Sequence, residues 1–175
     1  KHCLFCGSNE KLLQLYPRNF HDDDLTPEVF SARRVPEHFH YQTVRCQNCG
    51  LVFGREIIPA AQLSKLYGQS QVTYGGLSGI IADDYWRQLS AYLKNINKGA
   101  ALEIGCGSGF FLERLIRAGF KEIAGCEPSQ AAKAEAPLAV RDKIRTEMFG
   151  PGLYPDNYFD LVCSFQTLDH LSEPL

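Results

Sequence analysis

Three spacing regimes succeed one another along the 175 residues of the chain. In the first, His38-Phe39-His40-Tyr41-Gln42-Thr43-Val44-Arg45-Cys46 alternates polar with apolar positions and is rich in β-branched and aromatic side chains, the period of a half-buried strand. Leu51-Val52-Phe53 continues it beyond a turn, so hairpins are expected here, with Phe20 to Pro36 as a longer excursion. In the second regime, from Pro59 to about Asn97, the apolar period becomes helical. Leu63, Leu66 and Tyr67 form a short stripe, and Tyr85, Trp86, Leu89, Tyr92, Leu93 and Ile96 a longer one, both suited to packing on a neighbouring domain. The glycines of Tyr74-Gly75-Gly76-Leu77-Ser78-Gly79 predict a mobile loop between the two helices.

The third regime begins at Gly99, where the two periods alternate. Strands are predicted over 100–104, 122–126, 143–146 and 159–164, and helices over about 109–118 and 129–136. This spacing predicts right-handed βαβ units and a parallel sheet covered by helices, an α/β fold whose ligands bind beyond the C-terminal ends of the strands. The expected organisation is a small β module over 1–56, a helical linker or lid over 57–98 and an α/β domain over 99–175. That domain stops just after its fourth strand, early for a doubly wound fold.

A content of 45% hydrophobic and 22% charged residues is ordinary for a globular protein, and the formal charge is only -2. Residues 1–56 balance seven Lys/Arg against seven Asp/Glu, so nucleic acid is a disfavoured partner. No apolar run approaches the roughly 20 residues that span a bilayer, and the start at Lys1-His2-Cys3 lacks a signal segment. No membrane partner and a cytoplasmic protein with a trimmed N-terminus are expected. The oligomeric state is left open.

Four of the seven cysteines form two C-x-x-C pairs, Cys3 with Cys6 and Cys46 with Cys49, each followed directly by a glycine, Gly7 or Gly50. An odd total with this clustering fits metal ligation in a reducing compartment better than disulfides. Four thiolates make a closed tetrahedral shell, the mark of structural zinc, and so small a module needs the folding energy a metal supplies. His2, His38 and His40 are then spare and pack or face solvent. Cys126 and Cys163 read as small buried hydrophobes, and Cys106 as a small residue in a glycine loop.

That loop lies in Ala101-Leu102-Glu103-Ile104-Gly105-Cys106-Gly107-Ser108-Gly109-Phe110-Phe111-Leu112, a strand, a glycine hinge and a helix start in succession. A dinucleotide loop, G-x-G-x-x-G, would need glycine at position 110, which is Phe110. Glycines fall instead at 105, 107 and 109 behind Glu103, with Glu127 closing the second strand and Phe159-Asp160-Leu161-Val162 opening the fourth. This pattern resembles the class I S-adenosylmethionine-dependent methyltransferases over roughly residues 74–175.

The resemblance implies a Rossmann-like parallel sheet, truncated here after the fourth strand, with S-adenosylmethionine as cofactor. In it Gly105, Cys106, Gly107 and Gly109 present backbone to the cofactor, and Glu127 accepts both ribose hydroxyls with charge-assisted strength. Glu103 steadies the loop and the cofactor's amino end. Singly each acid reads as a solvated strand end; their joint placement on neighbouring strands favours the cofactor. Where the family often has an Asp beside the adenine, this chain has Glu147-Met148-Phe149-Gly150, so Met148 or Phe149 packs on the ring. Phe165 and Gln166 flank the cofactor, and Asp160 caps a turn without chemistry.

The segment Gln166 to Pro174 resembles the family's stretch where acceptor meets methyl. There His170 is the candidate base, since histidine accepts a proton at neutral pH, with ordering of its loop as the alternative role. Tyr74 is a second acid/base or a lid residue. With the four-Cys module in front, the chain resembles small-molecule methyltransferases that include sugar C-methyltransferases. That resemblance implies a small-molecule acceptor such as a nucleotide-linked sugar, methylated on carbon, oxygen or nitrogen. Two other readings are a zinc-ribbon RNA methyltransferase, which needs a basic face, and a truncated non-catalytic module that binds cofactor or partner only.

Overall fold

A computed structural model describes residues 2–31, 38–56, 58–72 and 75–171. Tyr74 and the segment 172–175 lie outside the described residues. Near the N-terminus, β1 (Leu12–Tyr16), β2 (Thr43–Cys46) and β3 (Val52–Gly54) form an antiparallel sheet in the order β1-β2-β3. The strand expected over 38–46 is confined to its last four residues. Ahead of it, Asn19 holds His40 through both its amide and its side chain, and the rings of Phe39 and Tyr41 turn onto Phe20 at 5.7 and 5.1 Å. These ring contacts replace a strand pairing. β1 was not predicted: Leu12-Leu13-Gln14-Leu15-Tyr16 has no clean period of two, and the register shifts between Gln14 and Tyr16.

Two helices follow, α1 (Ala60–Gly68), burying Leu63 and Leu66, and α2 (Ser78–Leu89). The expected mobile loop at 74–79 is corrected in its described part. Gly75–Leu77 is a 3-10 turn, and Ser78 and Gly79 already belong to α2. Packing of α2 on the α/β layer outweighs the glycines, with Ala82 buried and Tyr85 stacked on Phe165. The long helical stripe ends at Leu89, and a 3-10 turn at Tyr92–Asn95 rotates Leu93 into the core while Tyr92 faces solvent.

The remainder is a Rossmann-like α/β layer. Strands β4 (Ala100–Ile104), β5 (Glu122–Cys126), β6 (Ile144–Arg145) and β7 (Leu161–Ser164) are all parallel, in the order β6-β5-β4-β7. Helix α3 (Phe110–Arg117) crosses from β4 to β5. The helix expected over 129–136 is α4 (Gln130–Ala134), and a further short helix, α5 (Leu138–Arg141), follows beyond it after Pro137, whose ring removes an amide donor. Phe111, Leu112 and Leu115 of α3 are fully buried against Val140 and Ile144, each burial contributing about 2 kcal/mol.

Asp160 fastens the far end of this sheet. Its carboxylate accepts from the Ala100 amide at 2.9 Å and from Asn97 Nδ2 at 2.7 Å. The Ala100 bond leads in holding its pKa below the ordinary value. This places Asp160 away from the strand ends that carry the candidate site. Among the described residues no helix is long and apolar enough to cross a membrane.

Candidate cofactor cleft and cysteine cluster

At the C-terminal ends of β4, β5 and β7 the chain must turn sharply three times. Gly105, Gly107 and Gly109 all adopt left-handed φ, +72°, +53° and +71°, a region that side chains with a Cβ rarely enter. The amides of Gly105 and Cys106 both donate to Cys126 O, at 2.9 and 3.2 Å, which ties the turn to the end of β5. A Cβ on Gly105 would lie 2.8 Å from the Thr167 methyl carbon, so the turn after β7 is packed against the glycine loop. Gln166, just before Thr167, is itself at φ +50°, a conformation costly for a residue with a Cβ.

Two carboxylates meet at this end of the sheet. Glu103, on β4, is 2% exposed, and its Oε2 has no hydrogen-bond partner among the described residues. Burial first, and the neighbouring Glu127 second, push its pKa well above the ordinary 4.5. Glu127, just past β5, accepts from the Gly107 amide at 3.0 Å and the Ser129 amide at 2.9 Å, one on each oxygen. Burial raises its pKa too, opposed by those two amides. The expectation that Glu127 is given over to two ligand hydroxyls is thereby narrowed, because one oxygen already binds the glycine loop and the other the start of α4, and each retains one further acceptor direction.

The cleft above these residues has a volume of about 550 Å³. Glu103, Gly105, Cys106, Gly107 and Glu127 line its floor, Met148 and Phe149 one wall, and Phe165, Gln166 and His170 another. Gly109 lies beneath it, where a Cβ would meet Ile144 and Val140 at 3.0 Å. Cys106 is 1% exposed, and burial, then Glu103, pushes its thiol well above the usual range, so it serves as a small neutral residue. Phe165 lines the cleft and is also packed on the core: it stacks on Tyr85 at 4.1 Å and meets Phe111 edge-on at 4.9 Å. His170 ends a 3-10 turn, is exposed to the cleft and lies edge-on to Tyr67 at 6.0 Å.

Sequence reasoning expected a lid over 57–98 but named none of the roof residues as lining a cleft. Phe20, Phe30, Ser31 and Tyr41, from the connection between β1 and β2, line the same cleft, as do Tyr67 and Ser70 from α1 and its end. Tyr67 meets Phe30 edge-on at 5.1 Å as well as His170. The aromatic density of residues 20–41 was the available signal, but no spacing in it distinguishes a roof from a core.

The four cysteines do converge. Their Sγ atoms lie within 4.8 Å of one another, with Cys3 and Cys49 at 3.5 Å and Cys6 and Cys46 at 3.6 Å. A tetrahedral shell with bonds of about 2.3 Å has sulfur separations of about 3.8 Å, so the donor set fits zinc. The two knuckles share one geometry: Gly7 N donates to Cys3 O and Gly50 N to Cys46 O, both at 2.8 Å, with φ of +71° and +82° at the glycines. Within the cluster a side-chain hydrogen bond from Asn48, then one from the Ser8 backbone, lowers the Cys6 thiol to about 6, while Cys49, despite a lowering backbone bond to Leu51, is pushed up to about 12 by burial and by hydrogen bonds to the other three thiols, so the metal-free cluster shares protons among its sulfurs. Among the described residues this is the only such ligand cluster.

Residues 102–175 match the family model described as a methyltransferase domain. A tRNA U34 carboxymethyltransferase of Shewanella amazonensis is 31% identical over 101 residues, 54% of this chain and 30% of that protein. A tRNA U34 carboxymethyltransferase of Idiomarina loihiensis is 27% identical over 132 residues, 66% of this chain and 41% of that protein. The chain thus spans well under half the length of these curated relatives. Among solved structures, Streptomyces venezuelae DesVI is similar over 68% of this chain and 51% of that chain, at 18% identity and a TM-score of 0.38.

Proposed function

We propose, from the premise that the chain belongs to the class I S-adenosylmethionine-dependent methyltransferases through residues 102–175, that its cleft binds this cofactor for methyl transfer to an acceptor under the aromatic roof. One observation carries the reading: Glu103 lines the cleft, and its Oε2 is buried and unpartnered among the described residues. A buried carboxyl group in that position suits a cationic amino group, and the α-amino group of the cofactor supplies one. Gly105 and Gly107 leave backbone accessible beside it, and Glu127 has one free acceptor direction per oxygen for ribose hydroxyls. Met148 and Phe149 offer apolar contact to the adenine ring.

When bound, S-adenosylmethionine supplies an electrophilic methyl on a sulfonium. The chain's own contribution is alignment and proton handling. Tyr67 and Phe30 hold the acceptor side of the cleft, and an imidazole nitrogen of His170 takes the proton the acceptor releases. Tyr74 remains a candidate second acid/base. The four cysteines hold one structural zinc that stabilises the knuckles and, with them, the roof; such reduced thiols suit a cytoplasmic setting.

The acceptor is read as a small molecule, a nucleotide-linked sugar among the candidates, because aromatic side chains of the first sixty-seven residues line the cleft and residues 1–56 carry no excess positive charge. A second reading, RNA, is favoured by the relatives, which are named as tRNA U34 carboxymethyltransferases. Calorimetry with S-adenosylmethionine and S-adenosylhomocysteine tests the first claim: both should bind one per chain, and no heat with either sinks it. His170→Gln should bind both with unchanged affinity, and a large loss there would move His170 from the acceptor to the cofactor side. Titration with bulk tRNA at low and physiological salt separates the acceptor readings. Saturable binding that survives physiological salt would favour RNA.

A further inference from the structure

The end of α1 is joined to both sides of the cleft by hydrogen bonds that three buried serines make, two of them between segments far apart in sequence. Ser31 Oγ donates to Pro27 O at 2.8 Å and accepts from the Gln71 amide at 2.8 Å. One residue earlier, Ser70 O accepts from Ser129 Oγ at 2.8 Å, while Ser70 Oγ donates back to Tyr67 O at 2.7 Å. The Ser129 amide then donates to one oxygen of Glu127, whose other oxygen accepts from Gly107. Ser31, Ser70 and Ser129 are 7%, 5% and 3% exposed, so bulk water is a poor substitute for any of these partners. Losing the Ser129 hydroxyl strands the carbonyl of the buried Ser70, and losing the Ser31 hydroxyl frees the adjacent Gln71 amide, which couples the three serine positions.

The ordinary role of Ser129 accounts for only part of this arrangement. As N-cap of α4 its hydroxyl accepts from the Ala132 amide at 3.2 Å, and that bond would form with any orientation of α1. The donated bond to Ser70 O has no such local purpose. It fixes the strand-end carboxylate to the same turn that Ser31 fixes to the Cys-bearing module.

We propose that Ser31 and Ser129 are positioning residues that join the roof to Glu127 and Gly107, so that cofactor affinity depends on a serine of the Cys-bearing module. The affinity part rests on the cofactor reading of the cleft; the positional part does not. Amide exchange followed by NMR on the intact, ligand-free chain tests the positional part. Ser31→Ala should speed exchange of the Gln71 amide, which it bonds directly, and also of the Ser129 and Gly107 amides, by about fivefold each. Ser129→Ala and Ser129→Gly should both speed exchange at Gln71. Glycine keeps most of the helix cap, so agreement between the two variants isolates the tie to Ser70.

Confinement of the Ser31→Ala effect to Gln71 overturns the proposal. In the second arm, titration with S-adenosylhomocysteine should show affinity about fivefold weaker in Ser31→Ala, and equal affinity overturns it as well. Failure of the wild-type chain to bind S-adenosylhomocysteine would instead overturn the cofactor reading, and the exchange result would still decide whether the serines act together.

Discussion

Around the four cysteines the two knuckles repeat one set of bonds, with Cys3 and Cys46 each accepting from the glycine four residues on. At the end of β4, by contrast, Glu103 holds a buried oxygen with no partner among the described residues. The cluster brings its four sulfur ligands together within itself, so whatever it binds adds to stability. The cleft works the other way. Its lining combines a left-handed Gln166 with two adjacent buried carboxyl groups, an arrangement that costs stability until a complementary ligand is present.

The largest effect that can break this comparison lies in the cluster. Removal of bound zinc with a strong chelator, or Cys46→Ser, should unfold β1–β3, because structural zinc contributes on the order of 10 kcal/mol to modules of this size. Native mass spectrometry should show one zinc lost, and circular dichroism should show the α/β layer retained. An unchanged N-terminal sheet after metal removal would mean that the aromatic contacts around Phe20 suffice to hold it.

Glycines sharpen the comparison next, because each region has one in the same backbone conformation. Gly50→Ala places its Cβ in open space, so only the left-handed φ of +82° is penalised, about 1 kcal/mol. Gly105→Ala meets the same penalty plus the Thr167 side chain, and should cost about 3 kcal/mol and abolish cofactor binding. Denaturant unfolding of the two variants checks the difference. Equal costs would show that the turn after β7 yields easily and that the glycine loop is not held by it.

How far the sequence carried this picture depended on how close in the chain the partners lie. The knuckles were legible because Cys-x-x-Cys-Gly specifies its own turn. The strand from Ala100 and the loop at 105–109 were legible because hydrophobic run and glycines are contiguous. What failed was set by partners far away. β1 owes its strand conformation to β2, roughly thirty residues on. The bond between Gln71 and Ser31 spans 40 residues and that between Ser129 and Ser70 spans 59. Leu93 was rightly placed in the core but on the wrong element, since a stripe at helical spacing also fits a helix that ends and resumes as a 3-10 turn. Asp160 was read as a local cap, whereas its carboxylate reaches back 60 residues to Ala100.

The smallest effect has the most informative sign. Folding raises the pKa of Glu103, so above the ordinary carboxyl value of 4.5 the folded chain keeps a proton that the unfolded chain releases. Its contribution is therefore least costly at low pH and becomes increasingly destabilising as pH rises from there toward the folded-state pKa. Glu103→Gln removes the titration while keeping the shape, and should gain about 1 kcal/mol at neutral pH, roughly 2–4 °C in Tm, with the gain vanishing near pH 4. The same variant should weaken S-adenosylmethionine binding more than tenfold, since a neutral amide offers a cationic amino group no counter-charge. Thermal melts across pH, paired with calorimetry, read both arms. A variant that is destabilised at neutral pH would place Glu103 with the cysteines, as a group the fold itself needs. A variant that is more stable yet binds poorly would mark it as held ready for the ligand.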